Sequence, residues 1–283
     1  MEAGFNKVGI WGVGLIGGSL GLAVKRSGPR VRVLGVGRDP ERLRIARHMG
    51  VVDNWQAEQT ADLHECDLVV LATPVEHILA TLETLGGRLQ PGTVVTDVGS
   101  TKRRICAEAW AHLPSSVEFI GGHPVAGREH AGVENSIVSL FANAPYVLCP
   151  RPGAAPDNLQ RLRALVERLG AHPWIMSPEE HDHAIARLSH IPQLLSTALA
   201  SLSGKENLEI SGSGFRDMIR LAGSPYSVWK SILETNQDNV DRVLGELIDY
   251  LERMRSALRK GDLSAEFAQA VEVYERVKAG SGQ

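Results

Sequence analysis

Over roughly the first 175 residues, short apolar runs alternate with stretches of helical periodicity. Val8–Trp11 is an apolar run that ends in glycine. A helix follows to about Ser27, with Gly28 where a helix-terminating glycine belongs. Val31–Val36 reads as the next strand, and Asp39-Pro40 as an N-cap followed by proline at the first helical position, in a helix ending before Gly50. Asp67–Ala72 is continuously apolar, as expected of a strand buried on both faces of a parallel sheet. Helical 75–86, strand 93–98, helical 101–112, strands 117–121 and 145–149, helix 157–169 and a short strand near 173–176 complete the pattern. Strands alternating with helices predict a parallel, doubly wound α/β sheet.

The texture changes at Ser177. Ser177-Pro178-Glu179-Glu180 joins a capping box to a proline at the first helical position, a strong helix start. No β-like run comes after it. Ile185, Leu188, Ile191, Leu195, Ala198 and Leu202 form one apolar stripe at helical spacing. A second long helix is expected from Ser224-Pro225, carrying Val240, Leu244, Leu247, Leu251, Met254 and Leu258 as another stripe. The expected organisation is therefore an α/β, Rossmann-type domain over 1–175 and an all-α domain over 176–283.

Composition narrows the class. A chain of 283 residues, 43% hydrophobic and 22% charged, can bury a core without staples. Thirty basic against 33 acidic residues leave a net charge of −3, which argues against nucleic-acid binding through a broad basic surface. Three widely spaced cysteines, Cys66, Cys106 and Cys149, fit neither a disulfide framework nor a structural zinc site. The uncharged stretch Val8–Val24, flanked by Lys7 and by Lys25-Arg26, imitates a signal peptide. Its six glycines would cripple a helical core, and no other stretch approaches a membrane span. A soluble, cytoplasmic protein is expected.

The same glycines carry chemistry. Gly12-Val13-Gly14-Leu15-Ile16-Gly17 is a G-x-G-x-x-G that follows a predicted strand and opens a predicted helix, the context a dinucleotide site requires. Gly12 permits the tight turn, Gly14 lets the backbone approach the pyrophosphate, and Gly17 lets helix and strand pack closely. About 20 residues on, where a carboxylate would hold the ribose 2′-hydroxyl of NAD, stand Gly37, Arg38 and Asp39. The missing carboxylate and adjacent Arg38 favour NADP over NAD, with use of both open; Asp39 also reads as a helix cap.

Four further segments stand out. Asp97–Lys102 lies at the carboxyl end of a strand, where ligands of doubly wound sheets bind; Ser100 there also reads as the cap of the next helix. Gly121–Gly127 sets His123 in a glycine-rich loop, with no apolar face to pack on, as a proton acceptor that works near neutral pH. His181 and His183 point to different helix faces, so no metal site is expected and both read as helix-terminal polar residues; His190 and Gln193 share a face and can line a cleft together. Arg216 and Arg220, four apart, form either a carboxylate clamp or a solvent pair.

Taken in order, GVGLIGGS at 12–19, LATPV at 71–75, DVGSTK at 97–102, GGHPVAG at 121–127, HD at 181–182, SHIPQ at 189–193 and GSGFRDMIRLA at 212–222 resemble the prephenate/arogenate dehydrogenase family of tyrosine biosynthesis. The resemblance implies a Rossmann domain, a helical domain that makes a homodimer, and an active site in the cleft between domains. It implies His123 as the catalytic base on the ring hydroxyl and Ser100 as its orienting partner. Arg220 would bind a substrate carboxylate, with His190, Gln193 and Arg216 also on the substrate and Asp182 and Trp229 in support. Leu15, Ile16, Thr73 and Pro74 would join the glycines and Arg38 at the cofactor. Many members carry a second histidine where this chain has Gln193, which leaves the choice between prephenate and arogenate open. Other readings are a two-domain reductase of the β-hydroxyacid dehydrogenase or imine reductase type, which usually uses a lysine of the helical half, and a non-catalytic NADP(H) sensor. Lys205, Lys230, Lys260 and Lys278 lack a catalytic context, and a sensor needs no proton acceptor.

Overall fold

The structure, a computed structural model, describes residues 4–28, 30–128 and 130–280. Its first compact unit is Met1–Asn236 and its second Gln237–Gln283. The first unit is built on an eight-stranded sheet: β1 (Lys7–Trp11), β2 (Arg32–Gly37), β3 (Asn54–Ala57), β4 (Leu68–Leu71), β5 (Val94–Asp97), β6 (Glu118–Pro124), β7 (Pro145–Cys149) and β8 (His172–Ile175). Their spatial order is β3-β2-β1-β4-β5-β6-β7-β8. Helices α1 (Leu15–Ser27), α2 (Pro40–His48), α3 (Val75–Leu85), α4 (Arg103–His112) and α5 (Pro156–Arg168) connect the strands.

Side chains of β4 alternate between two cores. Leu68 and Val70 pack with Leu20 and Val24 of α1 and Leu162 and Val166 of α5, while Val69 and Leu71 pack with Ile78 and Leu82 of α3 and Ile105 of α4. Both faces are thus covered, which is why the strand reads as an unbroken apolar run. The three cysteines are buried and free.

Two strand expectations change. β3 escapes the sequence pattern because it is a half-exposed edge strand without apolar alternation. The sheet is mixed rather than parallel: β6 and β7 pair antiparallel, with Gly121 opposite Cys149 and His123 opposite Val147, and β8 runs with β7. Parallel neighbours need a crossover connection, usually a helix, and the described residues between β6 and β7 (125–128 and 130–144) contain only one 3-10 turn, Val133–Asn135.

After β8 the chain is helical: α6 (Pro178–Ile185), a π turn (Ala186–His190), α7 (Ile191–Ser203), α8 (Ser213–Ile219), a 3-10 turn (Arg220–Gly223), α9 (Tyr226–Thr235), α10 (Gln237–Lys260) and α11 (Ser264–Gly280). The capping box forms as expected: Ser177 Oγ accepts from Glu180 N at 3.2 Å and Glu180 Oε2 accepts from Ser177 N at 2.8 Å. The single stripe through Leu202 does not. The π turn inserts one residue into the helical repeat and rotates α7 relative to α6 about their common axis. Ile191, Gln193 and Ser196 are buried, whereas Leu188, Leu195 and Leu202 are exposed.

The second expected helix also breaks, at Asn236. This buried residue leaves helical geometry with φ −129° and ψ 24°, and its Nδ2 donates to Asp182 O at 2.8 Å. Ile232 of α9 joins the core around α3 and α4, with Trp229 packed against it. In the second unit, Ile248, Leu251, Leu258, Phe267, Val271, Tyr274 and Val277 are exposed apolar residues on α10 and α11.

Candidate active site

The glycine turn of residues 12–17 lies between β1 and α1, where the chain order of the sheet reverses from β2 to β4 on either side of β1. Gly12 has φ +100°, and a Cβ there would meet Ala72 O at 2.7 Å. A Cβ on Gly17 would meet Gly12 O at 2.1 Å, so only glycine lets the helix start this close to its strand. A Cβ on Gly14 would meet nothing within 4 Å, and α1 begins with no capping side chain and no acid in its first turn. An uncapped helix N-terminus facing open space fits a bound pyrophosphate. Thr73 Oγ1, on the neighbouring strand-to-helix turn, is buried and has no hydrogen-bond partner among the described residues, a second feature a nucleotide can satisfy.

At the end of β2, Arg38 is exposed and makes no ion pair among the described residues. Asp39 is committed to its own helix: Oδ1 accepts from Glu41 N at 2.9 Å and Arg42 N at 3.4 Å.

His123 is not in a loop but in β6, and it is buried. The glycines before it serve packing. A Cβ on Gly122 would lie 2.4 Å from Asp97 O and one on Gly121 2.6 Å from Cys106 Sγ. Asp97, at the end of β5, accepts from Gly99 N at 2.8 Å and Gly122 N at 3.0 Å and forms a fully buried ion pair with Lys102. That pair locks β5, β6 and the start of α4 together, and sequence reading missed it because a fully buried lysine cannot be told from a surface lysine by residue type.

Ser100 does not cap α4. The helix begins at Lys102-Arg103, and its free N–H groups are taken by Asp182 of α6: Lys102 N donates to Oδ1 at 2.7 Å and Arg103 N to Oδ2 at 2.9 Å. His181 is equally unlike the helix-terminal polar residue expected. It is fully buried, with Nδ1 2.8 Å from Asp182 Oδ1 and Nε2 2.8 Å from His123 Nδ1. The two imidazoles meet edge to face at 76°, centroids 5.0 Å apart. A signal was present: the capping box places His181 one turn inside α6, three residues after Pro178 and four before Ile185, on the face those residues bury.

The hydrogen-bond order assigns the tautomers. Asp182 Oδ1 accepts, so His181 carries its proton on Nδ1 and presents a bare Nε2. His123 then donates from Nδ1 to His181, leaving its own Nε2 unprotonated, and no group among the described residues hydrogen-bonds that nitrogen. Burial, reinforced by His181, Lys102 and His190, holds His123 well below the ordinary imidazole range. Burial also lowers His181, against the opposing pull of Asp182.

His190 ends the π turn, buried edge to face against Trp229 with centroids 5.8 Å apart. Its Nε2 is buried and unpartnered among the described residues, and burial pushes its pKa down to about 4. Gln193 shares its buried face, but its Nε2 donates to Leu221 O at 2.9 Å, and Ser196 Oγ accepts from Ala222 N at 3.0 Å. Both side chains hold the turn that begins with Arg220, which is exposed. Arg216 folds back on its own segment, with Nη2 donating to Ser211 O at 2.9 Å, and Trp229 Nε1 donates to Ser224 Oγ at 3.0 Å.

Two family models match the chain. One, described as prephenate dehydrogenase, nucleotide-binding domain, covers residues 20–191; the other, prephenate dehydrogenase, dimerization domain, covers 177–272. The prephenate dehydrogenase of Bacillus subtilis is 35% identical over 258 residues, 89% of this chain and 70% of that one. The crystal structure of Synechocystis arogenate dehydrogenase is 31% identical with a TM-score of 0.81, covering 96% of this chain and 99% of that one. The prephenate dehydrogenase of A. aeolicus, in complex with hydroxyphenyl propionate and NAD+, is 27% identical with a TM-score of 0.88, covering 99% of this chain and 100% of that one.

Proposed function

The chain belongs to the prephenate dehydrogenase family, and on that premise we propose how its residues divide the work. The protein is an NAD(P)-dependent dehydrogenase of tyrosine biosynthesis that oxidatively decarboxylates prephenate, arogenate or both, and it dimerises through its helical part. We assign cofactor binding to residues 1–175 and substrate carboxylate binding and the dimer contact to 176–283, in the cytoplasm.

His123 Nε2 takes the proton of the hydroxyl on ring carbon C4 as the C4–H bond pair leaves as hydride. The bound nicotinamide supplies the hydride acceptor. The electron pair of the bond between C1 and its carboxylate then closes the aromatic ring, carbon dioxide leaves, and the proton returns to the phenolate oxygen. The base role rests on one observation above all: a buried imidazole whose Nδ1 is anchored and whose Nε2 is left open.

To Ser100, in the loop between β5 and α4, we assign the orientation of that hydroxyl. Arg220 binds a substrate carboxylate, and Gln193 serves by holding the Arg220 turn. The unpartnered His190 Nε2 is the second polar contact offered to substrate, with Trp229 fixing its ring. Asp182 supports the site through α4 and His181. Arg216, tied to Ser211, contributes positive field near Arg220. At the cofactor we assign Gly12, Gly14, Leu15, Ile16 and Gly17 to the pyrophosphate, Thr73 and Pro74 to the nicotinamide side, and Arg38 to a 2′-phosphate. NADP is therefore the favoured cofactor.

The test follows reduced cofactor with prephenate or arogenate and NAD+ or NADP+, in all four pairs. Turnover in at least one pair is expected, with His123→Asn cutting kcat by about a thousandfold or more at nearly unchanged cofactor affinity. An active His123→Asn enzyme would overturn the base assignment.

A further inference from the structure

We infer that His181 is a positioning residue for catalysis: an imidazole held by Asp182 that fixes the tautomer and ring plane of His123. The inference deepens the reading of His123 as base and rests on it. Among the described residues, the hydrogen bond the His123 side chain makes is the 2.8 Å contact from Nδ1 to His181 Nε2. A neutral imidazole carries one N–H, on either nitrogen, and only the form protonated on Nδ1 leaves Nε2 free to accept a proton. Which form is present depends on what faces Nδ1. A donor there would force the proton to Nε2 and disable the base; His181 offers an acceptor.

His181 can be an acceptor only because its own proton is committed on the far side. Asp182 Oδ1 lies 2.8 Å from His181 Nδ1, and both carboxylate oxygens already receive backbone N–H groups of Lys102 and Arg103. The orientation thus runs from the α4 N-terminus through Asp182 and His181 to His123, on rigid elements throughout. When His123 takes the proton at Nε2, its Nδ1–H bond to His181 becomes charge-assisted and strengthens as the reaction advances. The remaining charged and titratable groups around His123, Lys102 and His190, both disfavour its cation, and Asp97 is paired with Lys102. A charged His181 would disfavour it too; held neutral, with its own proton on Nδ1 towards Asp182, His181 instead offers Nε2 as the acceptor that steadies the His123 cation.

Two amides of different reach test this. A glutamine at 181 sets its amide where Nε2 is and can still accept from His123; an asparagine sets it where Nδ1 is, near Asp182, and cannot reach His123. His181→Asn is expected to lower kcat roughly 10- to 100-fold with KM for substrate and cofactor within about twofold. The acid limb of its pH profile should move to lower pH, because the His123 cation has lost its acceptor. His181→Gln should recover most of kcat. Equal losses in both variants, a loss confined to KM, or an unmoved pH profile would overturn the inference. Should neither variant fold, ring 15N chemical shifts of histidine-labelled wild-type protein decide it: His123 must show a protonated Nδ1 and a bare Nε2 at neutral pH, and the reverse pattern overturns the inference. Wild-type turnover and its loss in His123→Asn test the underlying reading separately, so an active wild type with indifferent His181 variants would sink only this proposal.

Discussion

The carboxylate of Asp182 lies 2.7 Å from the backbone nitrogen of Lys102, across 80 residues of chain, and does for α4 what a local cap does for most helices. The same group orients His181. Asp182→Ala should therefore cost both stability and activity. Loss of a helix cap and of charge-assisted bonds together amounts to about 3 kcal/mol in urea denaturation. A change below about 0.5 kcal/mol would mean that α4 finds another cap.

Lys102 and Asp97 form a buried ion pair that neither can leave without stranding the other. Lys102→Met or Asp97→Asn alone should destabilise by about 3–5 kcal/mol. The double variant should recover much of that, because the asparagine oxygen still accepts from Gly122 or Gly99 while no charge is left unpaired. A double-mutant cycle with a coupling energy near zero would show the pair to be dispensable.

Stability should fall on acidification below neutrality. His123, His181 and His190 are each held below the ordinary value by burial, His190 at about 4 against 6.5. Because they fold neutral, their contribution is complete above about pH 6.5 and is lost as pH drops towards the folded values, where the unfolded chain binds protons that the native state refuses. Tm measured between pH 7.5 and 4 should decline through this window, and His190→Gln should flatten the decline. A Tm that rises on acidification would reverse the sign.

Arg38 stands at the end of β2 beside a carboxylate that is occupied as a helix cap. Arg38→Ala should lower kcat/KM with NADP+ about tenfold while leaving NAD+ within about twofold. Equal effects on both cofactors would remove the 2′-phosphate assignment.

Arg220→Ala should raise KM for the cyclohexadienyl substrate by roughly 10- to 100-fold with a smaller change in kcat, since a carboxylate remote from the hydride is bound alike in ground and transition states. Initial rates against substrate concentration check this. An unchanged KM would place the carboxylate elsewhere.

Local rules were enough for the parts of this protein that depend on neighbours in the chain. The glycine turn, the caps at Asp39 and Ser177, the doubly buried run at Leu68–Leu71 and the shift to helices after Ile175 come from residue spacing, because backbone geometry and one-turn contacts create them. The family likeness was also legible, since it resides in ordered motifs. Other features depend on partners far apart in sequence. The reversal of β7, the burial of Lys102 against Asp97, the distant cap on α4 and the approach of His181 to His123 join groups that are identical in type to surface residues until packing removes water from them. The residue order therefore carries the histidine proposed as the base. The group that faces its Nδ1 stands 58 residues away and is brought there only by tertiary packing.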